Sequence, residues 1–429
     1  MQYKLLNLTC WLCCIAVASA SDIVPGAPQK QPIALVDGTI YPITNPPIES
    51  GVIVFNQGKI TAIGTAGQVA IPEDAKVISV AGQRIYPSLF ESHSELGLVE
   101  IPSVRSTVDR REPGTINSNV RAYVSVNPDS ELIPVARANG ILLALSAPEG
   151  GLISGQASVL QLDGWTIQDL ALKKSAGMVV NWPNVKNDLE EKEKDRNVVD
   201  DLRDLFEEAR AYQKTRQESD SVQQTDLKLE AMLPVIDRQV PLFVRAHELS
   251  QIQSAVAFAV EESVKLIVFG GNDAVHCTAL LKQHDVPVII SSVYRLPRRR
   301  SDAYDAAYTL PARLHEAGVR FCISGSDASH DSTNSRNLPY HAGMAVAFGL
   351  SQEQAMRAIT ISPAEILGVA DRVGSLEIGK DATLIVTTGD PLETATEVKS
   401  AWIQGRMVDL HSRHTQLYEK YKQKYEQLK

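Results

Sequence analysis

Four polar residues follow short apolar segments, at positions where side chains from distant parts of a chain can meet. His93 and Glu95 share one such position, His247 occupies a second and Asp327 a third. Side chains at i and i+2 on extended backbone point the same way, so His93 and Glu95 are expected to face one ligand. Imidazole nitrogen with carboxylate oxygen suits a divalent ion, with Zn2+ the first choice and Mn2+ or Fe2+ as alternatives. We therefore predict a metal site.

A metal ion bound by these residues would have a chemical use. Water on such an ion can be hydroxide-like near neutral pH, and a nearby carboxylate can take its proton. Asp327 is predicted to be that base and also a ligand. Taken singly, a histidine after a strand is more often a hydrogen-bonded core or loop residue, so the prediction rests on the joint placement of the four.

Weaker candidates flank these positions. Glu248 follows His247 and is placed to orient a ligand histidine from behind, whereas Arg245 is expected to point away from the interior. His330 and His341 are candidate substrate contacts, although a structural role explains them equally well. The arginines at 298–300 could hold an acidic substrate group, but a charge run of this kind more often lies in a solvated loop.

The elements that must position these residues form an α/β pattern between positions 87 and 372. Strand patterns alternate with helical ones there, which predicts a parallel sheet. Helical patterns are clearest over 249–262, 274–283 and 351–367. Eight candidate strands, the number that a closed (β/α)8 barrel needs, comprise the segment before His93 and residues 141–145, 157–162, 178–182, 242–246, 266–269, 288–291 and 321–324.

Both ends of the chain have a different character. Residues 31–86 and 373–411 are rich in short β-branched runs separated by Asp-Gly and Gly turns. We predict that they combine into one small β-sandwich domain, because two separate strand-rich ends would leave open sheet edges. Residues 412–429 are predicted to form a polar C-terminal helix with tyrosines along one side.

A charged stretch at 187–228 interrupts the barrel pattern. Apolar residues recur in it at helical spacing, at positions 198, 202, 205, 206 and 209. The favoured interpretation is an elaborated barrel helix with a solvated outer face, and a partner-binding coiled coil is the alternative.

The first 20 residues are typical of a secretory signal peptide. Lys4 precedes an apolar stretch that is too short to span a bilayer, and Ala18-Ser-Ala20 supplies a small-residue cleavage pattern. We therefore expect an exported protein, periplasmic or extracellular. The cysteines at positions 10, 13 and 14 would be removed, and Cys277 and Cys322 are expected to be buried residues rather than a disulfide.

The overall charge and hydrophobicity argue against nucleic acid and a lipid bilayer as partners of the chain. The formal net charge of −9 gives no reason to expect nucleic acid. No later segment is apolar enough to cross a membrane. A small-molecule substrate is the expected partner, and a homo-oligomer is left open.

Several segments resemble the amidohydrolase superfamily. Residues 85–95 (IYPSLFESHSE) are similar to the P-G-[LF]-[IV]-[DE]-x-H-x-H motif that opens its barrel. Residues 337–346 (NLPYHAGMAV), 358–368 (AITISPAEILG) and 372–382 (RVGSLEIGKDA) resemble later parts of it, and the last is the most diagnostic. The resemblance covers nearly the whole chain after residue 20. It is closest to imidazolonepropionases and related exported amidohydrolases.

The departures from the family pattern concern the metal ligands. Glu95 stands where the family has its second histidine, and Asn181 stands where its bridging lysine or glutamate belongs. The histidine of the sixth strand should lie at 269–272, where the sequence is FGGN; His276 comes later and is expected in a helix. The resemblance therefore implies at most one ion, held by His93, Glu95, His247 and Asp327.

Two functions follow from this comparison. The first is a metal-dependent hydrolase of non-peptide C–N bonds, cyclic amides included, with Asp327 moving the proton. The second is a catalytically inactive barrel, without a metal, that binds a small molecule or a partner. Convergence of the four side chains would favour the first, and a Glu95 that turns away would favour the second.

Overall fold

The computed structural model describes residues 24–184, 198–218, 224–326 and 331–428. The predicted signal peptide lies outside these ranges, and so do Asp327 and His330. No helix within the described ranges combines the length and hydrophobicity that a bilayer span requires.

Eight strands form a nearly closed barrel, as the sequence predicted. Neighbours along the chain are neighbours in the sheet throughout. The strands are β6 (Leu89–Ser94), β7 (Ile141–Ser146), β8 (Ile153–Gln161), β9 (Ala171–Asn181), β10 (Leu242–Ala246), β11 (Leu266–Gly270), β12 (Val288–Ile290) and β13 (Phe321–Ile323).

The barrel is not uniformly parallel, and the prediction of a parallel sheet is wrong for one strand. β8 runs antiparallel to both β7 and β9, whereas the other neighbouring pairs are parallel. Residues 147–152 alone connect β7 to β8, and a parallel crossover needs about a dozen residues or more. The short connection therefore forces a hairpin, whose loop lies at the same end of the barrel as the carboxyl end of β7.

Side chains at the ends of the first and last strands bring the barrel together. Ser92 Oγ donates to the Ile323 carbonyl over 3.1 Å. The buried Glu91 carboxylate accepts from Ser324 Oγ at 2.6 Å and from the Gly325 amide at 3.0 Å. It also accepts from the His93 amide at 3.2 Å, so one carboxylate ties the start of the barrel to its end.

Helices pack around the strands. Those of the barrel region are α1 (Leu132–Arg137), α2 (Ile167–Leu170), α3 (Val198–Glu218), α4 (Leu227–Ile236), α5 (Leu249–Glu261), α6 (Thr278–Gln283), α7 (Ala306–Glu316), α8 (Leu338–Ala347), α9 (Gln352–Ala358) and α10 (Ile361–Ile366). The helical pattern over 351–367 forms two helices, α9 and α10, and Ser351 caps the first through its side chain. His276 lies in a single 3-10 turn, Ala274–His276, just before α6.

The charged stretch after β9 contains one long helix, α3, and the start of α4. In α3, residues Leu202, Leu205, Phe206 and Ala209 are buried, as predicted, and Val199 rather than Val198 completes that face. Arg203 and Arg210 extend from α3 to Glu261 and Glu262 at the end of α5. These contacts agree with a barrel helix that has a solvated outer face.

The two chain ends build one hydrogen-bonded sheet. Its strands are β1 (Ile33–Ile40), β2 (Ile48–Asn56), β3 (Lys59–Thr65), β4 (Lys76–Ser79), β5 (Arg84–Pro87), β14 (Leu384–Thr387), β15 (Val398–Ile403) and β16 (Arg406–Met407). β14 pairs antiparallel with β5, which joins the C-terminal strands to the N-terminal ones. The sandwich form of this unit stays a prediction.

The predicted C-terminal helix is present as α11 (Arg413–Glu426), and its tyrosines Tyr418, Tyr421 and Tyr425 are exposed.

One buried carboxylate joins this sheet to the end of the barrel region. The Asp381 side chain is 2% exposed and binds Lys59 at 2.5 Å and Arg372 at 2.7 Å. Gln404 Nε2 donates to the same carboxylate over 3.2 Å. The diagnostic run at 372–382 therefore has a structural role, because Asp381 gathers partners from the N-terminal strands, the barrel end and the C-terminal strands.

We expect Asp381→Asn to lower the free energy of unfolding by about 1–3 kcal/mol. The loss is smaller than the roughly 3–5 kcal/mol for fully buried pairs because Lys59 and Arg372 are partly exposed and regain water. Urea unfolding measures it. Asp74→Asn, in an exposed turn, is the control and should change stability by less than about 0.5 kcal/mol. Equal effects of the two substitutions would contradict the structural role of Asp381.

The cysteines give a second test of the fold. Cys277 and Cys322 are free and buried. Burial raises the pKa of Cys277 to about 11 and that of Cys322 to about 12, so little reactive thiolate forms at pH 8. In the chain that begins at Ser21, a thiol reagent should modify both only after denaturation. Failure to titrate any thiol in unfolded, unreduced protein would instead demonstrate a disulfide.

Candidate functional site

The carboxyl ends of β6, β9, β10 and β11 bring His93, Asn181, His247 and Gly270 to one end of the barrel, which we call the mouth. His93 is 9% exposed, and its ring stacks on Phe269 with centroids 3.6 Å apart. Burial, then the charge of Arg245, lowers the pKa of His93 well below its usual value. His93 is therefore neutral at physiological pH.

Arg245 points into the mouth, so the expectation that it faces away is wrong. Its Nη2 lies 3.3 Å from His93 Nε2 and donates to the Pro148 carbonyl at 3.0 Å. Its Nη1 donates to Asn181 Oδ1 at 3.2 Å. Side chains two residues apart in a strand point the same way. Phe243 packs inside the barrel with Val179 and Ile267, so Arg245, two residues further on, also points inside.

Glu95 remains close enough to Arg245 for their charges to interact, but its direct partner is Arg110. β6 ends at Ser94, and its pairing with β7 is irregular between Glu91 and Ser94, so the i, i+2 rule does not extend to Glu95. Arg110 Nη1 binds the Glu95 carboxylate at 3.0 Å, and Arg110 Nε binds Glu149 at 3.0 Å. Burial raises the pKa of Glu95 to about 7 despite the opposing charge of Arg110, so both of its protonation states exist near neutral pH.

His247 lies against the backbone of Gly270. A methyl group built on Gly270 would stand 2.4 Å from His247 Cε1, and this glycine has a φ of +101°. The His247 amide donates to Gln251 Oε1 at 3.1 Å, and its carbonyl accepts from the Asp273 amide at 3.0 Å. The sequence at 269–272 thus serves packing: Phe269 covers His93 and Gly270 makes room for His247.

These contacts do not fit a divalent ion. An ion at His93 Nε2 would need the nitrogen that Arg245 approaches, and Glu95 is engaged by Arg110. His93 Nδ1 is buried with no hydrogen-bond partner in the described ranges. However, no group of three or more His, Cys, Asp or Glu residues within those ranges is arranged to hold a metal. Asp327 lies outside them, so its role as ligand and base stays a prediction.

The weaker candidates have contacts of their own. Glu248 lies 3.6 Å from Arg298, and its role in orienting His247 stays a prediction. Arg299 binds Asp273 at 2.6 Å, and both arginines are more than a third exposed, which agrees with the solvated-loop interpretation of 298–300. His341 is buried, with Nδ1 3.4 Å from Ser292 Oγ and its ring edge-on to Tyr294.

Sequence reasoning missed the polar groups that surround His93 at the mouth. Arg245 lies inside because the strand period that places His247 inside applies to it as well. Asn181 accepts from Arg245, and the other missed groups, Arg110, Glu149 and the Pro148 carbonyl, lie in loops. A search for arginines at inward strand positions would have found Arg245, whereas the loop residues gave no comparable signal.

Comparison with known proteins shows which family the chain resembles. The model of the "Amidohydrolase family" matches residues 171–409. Amidohydrolase tasK of Hapsidospora irregularis is 21% identical over 395 residues, which are 83% of this chain but 39% of that protein. The imidazolonepropionase of Symbiobacterium thermophilum is 23% identical over 381 residues, or 79% of this chain and 84% of that one.

Solved structures show the same fold. An amidohydrolase from Thermotoga maritima superposes with a TM-score of 0.78 at 24% identity, covering 88% of this chain and 99% of that one. A prolidase complexed with N-methylphosphonate-L-proline superposes with a TM-score of 0.54 at 14% identity, over 88% of this chain and 99% of its own. At these identities the likeness is one of fold alone.

We expect Gly270→Ala to destabilise the protein by about 1–3 kcal/mol, since the added methyl overlaps the His247 ring and the backbone conformation suits glycine. Gly67→Ala is the matched control, because a methyl there meets nothing within 4 Å. Denaturant unfolding of both variants measures the difference. A Gly270 variant as stable as the Gly67 one would show that His247 does not lie where we describe it.

Proposed function

The chain belongs to the amidohydrolase family, and on this premise we propose that it hydrolyses C–N bonds other than peptide bonds, those of cyclic amides included. The reaction would take place at the barrel mouth, where barrel enzymes assemble their sites. The substrate class is supported by the names of its relatives, an amidohydrolase and an imidazolonepropionase.

The observation that carries the proposal is the polar cluster at the mouth. A guanidinium, a neutral imidazole and a carboxylate, from Arg245, His93 and Glu95, come together above an apolar interior. Fold stability alone does not explain a half-buried arginine against a buried histidine, since such groups cost free energy to desolvate. Cationic donors, proton carriers and restricted solvent are what amide hydrolysis requires.

The reaction itself is simple to balance. The oxygen of a water molecule attacks the amide carbon, and the electron pair of the C=O π bond moves onto the carbonyl oxygen. A carboxylate takes a proton from the attacking water. As the tetrahedral intermediate collapses, the C–N bond breaks and the nitrogen receives that proton, which leaves a carboxylic acid and an amine. For a cyclic amide, both groups remain on one opened product.

Two carboxylates are candidates for moving the proton. The sequence predicts Asp327, which follows β13. Within the described ranges, Glu95 is a more buried carboxylate than Glu149, and both bind Arg110 at the mouth. Amidohydrolases generally use a divalent metal, but the described residues do not fit one, and the steps above do not depend on it.

Export is a further part of the proposal. It rests on the first 20 residues, whose charge, apolar stretch and cleavage pattern are those of a signal peptide. The relevant substrates would then be small amides that reach the periplasm or the outside of the cell.

Hydrolysis of a panel of lactams, hydantoins, imidazolones and N-acyl amino acids, followed by the release of amine or ring-opened acid, tests the function. We expect turnover of at least one class, and a fall in kcat of about 100-fold or more for Asp327→Asn. Asp74→Asn, in an exposed turn, should leave kcat unchanged.

Two results would contradict the proposal. If no panel member is hydrolysed while small molecules of the panel still bind, the barrel is a binding protein. If Asp327→Asn keeps full turnover, the proton passes through another residue, and Asp327 loses its predicted role.

A further inference from the structure

We propose that the guanidinium of Arg245 is the fixed cation of the barrel mouth, in place of a divalent ion, and that it binds the substrate's carbonyl oxygen. This inference deepens the proposed function and depends on it only for the identity of the ligand. Its first part, a protein cation where a metal is expected, is independent of any substrate.

The guanidinium is held from three directions. His93 comes from the first barrel strand, Asn181 from the end of β9, and Pro148 from the hairpin loop between β7 and β8. Two of these acceptors are an amide oxygen and a backbone carbonyl, which stay acceptors at any pH. A long, flexible side chain fixed by three separate segments is preorganised, and such order is what electrostatic catalysis needs.

Asn181 is itself held in the matching orientation. Its Nδ2 donates to the Gly151 carbonyl at 2.7 Å and to Ser154 Oγ at 3.0 Å. A carbonyl can only accept, so the amide nitrogen must face Gly151 and the amide oxygen must face Arg245. An asparagine at position 181 therefore supplies an acceptor for Arg245, whereas a lysine there would place a second cation beside the guanidinium.

The same contacts oppose a metal ion. A zinc ion bonds histidine nitrogen at about 2.0–2.1 Å, so an ion on His93 Nε2 would lie within a few ångströms of Arg245 Nη2. Two positive charges at such a distance repel strongly when water is scarce. The anionic groups nearby are engaged as well, because Glu95 and Glu149 share Arg110.

The guanidinium keeps hydrogen-bonding capacity for a ligand. Arg245 uses Nη1 once and Nη2 twice, and the Nε–H and the second Nη1–H have no acceptor among the described residues. Planar N–H donors of this kind match a carbonyl oxygen that gains negative charge. As water attacks the carbonyl carbon, the growing charge on oxygen would be stabilised by Arg245.

Metal binding decides the first part of the inference. Protein purified without chelator should contain less than about 0.1 equivalent of Zn, Mn, Fe or Co by mass spectrometry. Titration with Co2+ should give no visible d–d band, and in the wild type a chelator should not change turnover. About one equivalent of tightly bound metal, with turnover lost on its removal, would overturn the inference while leaving the proposed function intact.

Variants of Arg245 test the second part. Arg245→Gln should lower kcat/KM by about 100- to 1,000-fold, the effect of losing one preorganised oxyanion donor. Arg245→Lys keeps the charge without the planar fork and should recover part of that loss. Arg313→Gln, on the exposed face of α7, is the control and should match the wild type. Equal activity of the Gln and Lys variants with the wild type would overturn the assignment of Arg245.

Discussion

The Glu91 carboxylate is the constraint on which the rest of the molecule depends. A barrel is stable only when its first and last strands meet, and here they meet through side chains rather than through a long hydrogen-bonded ladder. Glu91 accepts from Ser324 and Gly325 at the last strand and from the His93 amide in its own strand. The same carboxylate therefore closes the barrel and fixes the backbone that carries His93.

From that fixed point the mouth is built from two arginines, one among neutral acceptors and one between two carboxylates. Arg245 lies against His93, while Arg110 lies between Glu95 and Glu149. Each charge has an opposite partner or a fixed acceptor, which is the condition for keeping charged groups in a site with little water. The apolar neighbours are equally specific, because Phe269 covers one face of the His93 ring.

The sequence predicted the barrel well because its evidence is repeated along the chain. Eight apolar runs, the two strand-rich ends and the 372–382 segment each point to the same architecture, and family membership and the strand order confirm it. The strand-period rule holds within a strand, where it places Arg245 inside, and it fails at Glu95, which lies beyond the end of β6. The antiparallel strand could not be read from hydrophobicity, which reports burial and not direction; only the shortness of the 147–152 connection signals it.

The site was harder to predict because its partners are distant in sequence. Glu95 was expected beside a metal, but its nearest partner, Arg110, comes from a loop with no strand pattern. Histidines and carboxylates at the same strand end suggest a metal site in any sequence of this kind. Only the structure shows whether the cation that they contact is a metal ion or an arginine. A crystal structure of protein soaked in zinc, with anomalous data at the zinc edge, tests the central claim most directly. We predict the Arg245 guanidinium at His93 Nε2 and no anomalous peak in the mouth. A zinc peak bonded to His93 and His247, with Arg245 displaced, would contradict this account.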